Sequence, residues 1–201
     1  MGLRKNKFIV FVRHGESETN VKNILSSAID GYPLTDAGVR QAENAALALS
    51  RLPKIDALYS SQILRAMQTA EIIGKKTGMK FIVDNRLRER NFGSLEGNRI
   101  PDKYAWKLDP EYGISKWRSL INNMKSFIEG ATGEVIVAVS HGDNMSAICD
   151  LIDGKGEGQH ALACPLNCNF VIVDATGPEL MAADVSTIPE DLIRKFKFDV
   201  L

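Results

Sequence analysis

Short apolar runs alternate along the chain with longer stretches in which apolar residues recur every three or four positions. The runs "KFIVFV" (7–12), "DALYS" (56–60), "KFIVD" (80–84), "EVIVAVS" (134–140) and "NFVIVD" (169–174) are rich in β-branched and aromatic residues. They predict strands buried on both faces. In "LTDAGVRQAENAALALS", Thr35 can cap a helix in which Ala42, Ala45, Ala46 and Leu49 share one face, while Arg40, Glu43 and Asn44 face water. "SQILRAMQTAEIIGKKTG" reads as a second helix closed by Gly78, a third is expected after "SHGDN", and a fourth fits 114–129. Strands alternating with helices predict a three-layer α/β/α sandwich with a mostly parallel central sheet, in which ligands bind at the carboxyl ends of the strands. The 201 residues, without repeat or low-complexity segment, are expected to form a single domain over 1–201. The stretch "PEDLIRKFKFDVL" starts at a proline suited to a helix N-terminus, and is expected to pack as a short helix or to mediate association, a homodimer included.

Two of the predicted strands end alike. "FVRHG" and "VAVSHG" each place a histidine and a glycine just past an apolar run, so His14 and His141 are expected to share one edge of the sheet. Arg13 adjoins the first of them. A histidine nucleophile must be neutral, and a nearby cation disfavours the imidazolium form. Arginine also presents paired planar donors that match phosphate oxygens. Gly15 would let the backbone come close to a bound group, and Ser17, Thr19, Asn20 and Asn23 offer neutral donors in the following loop. Arg65 falls in the first turns of the second helix, and "LRERNFGSLEG" sets Glu89 between Arg88 and Arg90. Taken singly, each has an ordinary explanation: a hydrogen-bonded histidine at a strand end, a solvated helix arginine, a surface charge cluster.

Composition narrows the classes. The 25 basic and 25 acidic residues leave a formal charge of +0, so no overall field favours nucleic acid or an anionic membrane, and any anion site must be local. No apolar run approaches the roughly 20 residues needed to cross a bilayer. An odd cysteine count (Cys149, Cys164, Cys168) and the lack of a signal-peptide pattern point to a reducing, cytoplasmic setting. Three histidines, and a Cys164/Cys168 pair without a second pair, make no metal ligand set, so neither metal nor cofactor is expected. Cys149 reads as a small buried helix residue. His160, in "GKGEGQHALACP", is given no role.

In order, "RHGE", "PLTDAGVRQA", "SSQILRAMQTA", "ERNFGSLEG" and "VSHG" resemble the blocks of the histidine phosphatase superfamily, the phosphoglycerate-mutase-like proteins, on its phosphatase branch. The resemblance implies that His14 accepts the phosphoryl group and that Arg13, Arg65 and His141 clamp the phosphate. It matches Asn20 and Asn23 to phosphate contacts and Glu89 to the proton donor. It implies a histidine acid-type phosphatase acting on a small phosphorylated substrate by way of a phosphohistidine.

Within that family a mutase is the competing reading. It would be expected to carry a tyrosine soon after the glutamate and an arginine pair in a long insertion. Here the third position after Glu89 is Phe92, and no Arg-Arg pair occurs between Glu89 and His141. The Gly-Glu-Ser step of many family phosphatases is replaced by Gly113, Ile114, Ser115. The segment at about 98–118, with Lys103, Tyr104, Trp106, Lys107, Lys116, Trp117 and Arg118, is expected either to cover the ligand as a lid or to form a peripheral helix with buried tryptophans. A third reading is a non-catalytic phospho-ligand binding protein. Gly93 and Gly97 are expected to turn the Glu89 loop back over the site.

Overall fold

The structure, a computed structural model, describes residues 7–101, 110–154, 158 and 166–175, and the backbone of 181–185. Residues 102–109 of the expected lid, His160, Cys164 and the stretch from 189 lie outside the described residues.

Each of the five apolar runs is a strand: β1 (Phe8–Arg13), β2 (Ala57–Ser60), β3 (Phe81–Val83), β4 (Val135–Ser140) and β5 (Phe170–Asp174). A further strand, β6 (Met181–Val185), completes a sheet of order β3-β2-β4-β1-β5-β6. The β1–β4, β2–β4 and β2–β3 pairs are parallel, and β5 runs antiparallel to both β1 and β6. The sheet is therefore mostly parallel, as the alternation of strand and helix predicts. β6 has no local signal, because methionine and alanine are poor strand formers; its pairing with β5 decides its conformation.

β1 shows why the run is continuous. Phe8, Val10 and Val12 pack with Ala42, Ala46, Leu49, Ala66 and Ile73 on one face, and Ile9 and Phe11 pack with Met124, Phe127, Met145 and Ile148 on the other. The first set belongs to α2 (Asp36–Leu49) and α3 (Leu64–Thr77), the second to α4 (Trp117–Gly130) and α5 (Gly142–Asp153). A helix layer thus covers each face. β3 departs from expectation. It is the sheet's edge among the described residues, with Ile82 and Val83 exposed at 54% and 46%.

Thr35 caps α2 by accepting the Gly38 N–H at 3.0 Å, and Gly78 ends α3 with a φ of 74°. α5 begins at Gly142, inside "SHGDN" rather than after it. The loop after β1 contains a helical turn that was not expected, α1 (Glu18–Lys22), begun where the Ser17 N–H donates to Asn20 Oδ1 at 3.0 Å. Trp117 is buried, as the peripheral-helix reading of its segment requires.

Gly15 and Gly38 meet backbone to backbone. A Cβ on Gly38 would lie 1.9 Å from the Glu16 carbonyl oxygen, and one on Gly15 2.4 Å from that of Gly38. Gly15 is therefore needed for docking the loop onto α2. Gly38→Ala is expected to cost about 3 kcal/mol, since two backbones must separate. Urea unfolding checks this, and a loss below about 0.5 kcal/mol would mean the contact is not needed.

Candidate active site

The carboxyl ends of β1, β2 and β4 converge. Parallel pairing sets Arg13 opposite Ser140, and the His14 N–H donates to the Ser140 carbonyl at 3.0 Å. The next residue on each strand is a histidine, and the His14 and His141 rings stand 5.1 Å apart. The expected sharing of one sheet edge is what the backbone register produces.

Nδ1 of His14 lies 2.8 Å from the Gly15 carbonyl, so Nδ1 carries the proton. Nε2 is then an acceptor, and Arg65 Nε donates to it at 3.1 Å. Arg65 Nη2 donates to the Ser26 carbonyl at 2.9 Å and lies 3.4 Å from His141 Nδ1. His141 Nε2 is 2.8 Å from Ser61 Oγ. Arg65 Nη1 is buried without a hydrogen-bond partner. His14 and Arg65 are each 3% exposed. Burial, then the charges of Arg65 and Arg13, pull His14 well below the usual histidine range; burial and Arg65 lead the same effect on His141. Burial likewise lowers Arg65 to about 10.

A cleft of about 230 Å³ opens over this group. Arg13, His14, Arg65 and Asn20 line it, with Glu89 and Asp143 on one side and Ile24, Leu25, Phe92 and Ile100 forming an apolar wall. Asn20 Oδ1 is occupied by Ser17 and Asn167, which leaves its NH2 group to donate into the cleft. His141 sits behind Arg65. The structure does not bring Asn23 into the cleft: it is an exposed left-handed residue (φ 53°) ending α1, and its carbonyl accepts from the Ile100 N–H at 2.9 Å.

That contact belongs to a short pairing of two segments. Leu25 N–H donates to the Asn98 carbonyl at 2.9 Å and Gly97 N–H to the Leu25 carbonyl at 2.7 Å. Gly93 and Gly97 both take positive φ, 57° and 75°, which lets the chain after Glu89 return to this wall.

Glu89 is buried, and its Oε1 accepts the Arg90 N–H at 3.0 Å. Burial and the Asp143 charge raise it to about 7 against the opposing charges of Arg65 and Arg90. Arg88 and Arg90, which flank Glu89 in sequence, both bind protein groups other than its carboxylate. Arg90 Nε donates to Asp143 Oδ2 at 2.8 Å with its guanidinium 5.0 Å from the Trp117 ring, and Arg88 Nη2 donates to the Ser27 carbonyl at 3.1 Å. A buried cation requires a counter-charge, and Asp143 supplies it.

Several residues of this site carried no role in the sequence reading. Asn144 Nδ2 lies 2.8 Å from the Leu87 carbonyl and 3.0 Å from that of Arg88, holding the segment that bears Glu89. Glu96 accepts from the Ser27 N–H at 2.6 Å and steadies the stretch that supplies the Ser26 carbonyl. Asp143 and Asn144 lie inside the quoted "SHGDN", and Ser61 inside "SSQILRAMQTA", but only their contacts reveal a use. Among the described residues, no group of three or more His, Cys, Asp or Glu side chains could hold a metal ion, and no helix is long and apolar enough to cross a membrane.

Comparison with known proteins bears on the fold and the family. A 2,3-bisphosphoglycerate-dependent phosphoglycerate mutase of Thermoplasma acidophilum is 30% identical over 198 residues, covering 94% of this chain and 98% of that protein. The solved mycobacterial glucosyl-3-phosphoglycerate phosphatase superposes with a TM-score of 0.75 at 21% identity, over 92% of this chain and 100% of that one. The Entamoeba histolytica phosphoserine phosphatase, solved with 3-phosphoglyceric acid, gives 0.75 at 20% identity over 92% of this chain and 99% of that one. Residues 9–183 match the profile of the histidine phosphatase superfamily, branch 1, and the chain belongs to that superfamily.

Proposed function

We propose that the chain is a metal-independent phosphomonoesterase of the histidine acid type that works through a phosphohistidine on His14. The observation that carries this reading is the neutral, Nδ1-protonated His14, whose Nε2 faces an arginine with one buried N–H group lacking a partner. Phosphate oxygens would take over the Arg65 donors and release the Nε2 lone pair. Nε2 then attacks phosphorus in line; the N–P bond forms, the ester P–O bond breaks, and Glu89 gives its proton to the leaving oxygen. In the second step water attacks phosphorus, Glu89 takes the water proton, and the N–P bond breaks to free phosphate and neutral His14. Arg13 and Arg65 neutralise the equatorial oxygens and Asn20 helps to orient them, which phosphoryl transfer chiefly demands, while His141 holds Arg65 from behind. The thiols of Cys149 and Cys168, the latter pushed up to about 12 by burial, accord with a reducing, cytoplasmic setting.

A phosphoglycerate mutase is the second reading, favoured by the name of the Thermoplasma relative. Against it, Arg13 and Arg65 are the only cations among the described residues lining the cleft, and both lie at the phosphate end. Among the described residues, a phosphoglycerate carboxylate would meet the apolar wall or an acid.

The test is phosphate release from a panel of phosphomonoesters in EDTA, with isomerisation of 3-phosphoglycerate followed in parallel. Release that survives chelation is expected, whereas isomerisation without net release would overturn the phosphatase reading. The pH profile adds a second check. Activity needs neutral His14 and protonated Glu89. Because His14 stays neutral well below its usual range, kcat/KM is expected to hold through the mildly acidic region and fall as pH rises through about 7. A profile flat to pH 9 would remove Glu89 from the acid role.

A further inference from the structure

Glu89 and Arg90 are neighbours joined by the Arg90 N–H to Glu89 Oε1 bond, so the simplest local arrangement would fold the guanidinium back onto the Glu89 carboxylate. The structure shows another. The Arg90 side chain is fully buried and ion-paired with Asp143, 53 positions away in sequence, while its guanidinium stacks on Trp117 from α4. Two carboxyl groups thus share one cleft wall; Arg65 acts on Glu89 through its field, and the nearer cation on the Glu89 segment, Arg90, is paired with Asp143. Asp143 is also the second residue of α5, a helix of 12 residues, where the amide ends favour an anion. Glu89 keeps only a neutral backbone donor.

We propose that Asp143 is a positioning residue for the proton on Glu89: by holding Arg90 against Trp117 it keeps that cation from pairing with Glu89, so the carboxyl retains its proton until the leaving oxygen takes it. This rests on the phosphatase reading above and assigns a reason for a carboxylate in a site built for anions. Among the described residues, the charges acting on Glu89 are Asp143 from the start of α5, Arg65 from α3 and Arg90 from its own segment, and the other titratable or charged groups lining the same cleft are Arg13 and His14 from the end of β1. Of these, Asp143 alone both adds a negative charge beside Glu89 and withdraws a positive one.

The test compares two esters with Asp143→Asn: 2-glycerol phosphate, whose alkoxide needs a proton to leave, and 4-nitrophenyl phosphate, whose phenolate hardly does. At pH 7 the alkyl-to-aryl ratio of kcat/KM is expected to fall about fivefold, and the alkaline limb for the alkyl ester to move down by about one pH unit. Removing the released cation as well, in Asp143→Asn combined with Arg90→Met, should restore most of the ratio. Equal losses on both esters with an unmoved limb would make Asp143 merely structural and overturn the inference. Absence of phosphate release from either ester by the unaltered protein would instead overturn the phosphatase reading beneath it.

Discussion

Replacing His14 with alanine is expected to cut phosphate release by on the order of 10⁴-fold or more, because no neighbouring group can take its place in attack. His141 is the other imidazole within reach, but its Nδ1 faces Arg65 and its Nε2 meets Ser61 Oγ, so both ring nitrogens are engaged. The cost to folding should be small. The variant gives up the Nδ1 contact with Gly15 and the bond from Arg65 Nε, whose acceptor water entering from the cleft can replace, while the backbone bond from residue 14 to Ser140 remains. Rapid-quench trapping of acid-labile phosphate on the protein, together with a thermal melt, checks both halves. Activity within tenfold of the unaltered protein would sink the nucleophile.

Arg65→Met is expected to lower kcat/KM by roughly 10³-fold, with KM rising, since it deletes the donor aimed at transition-state charge. It also has a pH signature. Arg65 is the largest charge depressing both histidines, so without it His14 gains a proton more readily and the acid limb moves to higher pH. Stability should change little. The Ser26 carbonyl loses its donor, at about 1–3 kcal/mol, but a buried cation with an unsatisfied N–H disappears at the same time. A thermal midpoint within a few degrees, beside the activity loss, is the expected pair of results; an unshifted acid limb with unchanged KM would remove Arg65 from the phosphate clamp.

What could be read beforehand follows the range of the forces involved. β1 and β4 are legible because burial on both faces leaves an unbroken apolar run, and α2 because Thr35 and its alanine face are local signals. His14 and His141 follow from strand termini alone, since a parallel sheet aligns them. β6 has a strand's conformation only because β5 pairs with it, and α1 depends on a single turn of side-chain bonding. The partner of Arg90 is illegible for the same reason: its counter-charge sits in another element, and nothing in "ERNFG" announces it. Asn23 matched a family position in sequence, yet its left-handed backbone turns it to solvent.

The contact between Gly15 and Gly38 bears on how the site adapts to what it binds. With the loop after β1 seated on α2 without room for a methyl group, the nucleophile and its helix behave as one rigid jaw of fixed gauge. The opposite jaw is the hydrogen-bonded pair of Asn23–Leu25 and Gly97–Ile100, which among the described residues packs on Phe92 and the side chains around it and is tied to Ser27 through Glu96. Accommodation of larger or smaller leaving groups therefore falls on that second jaw, while the distance over which phosphorus must be delivered to His14 stays the same for all of them.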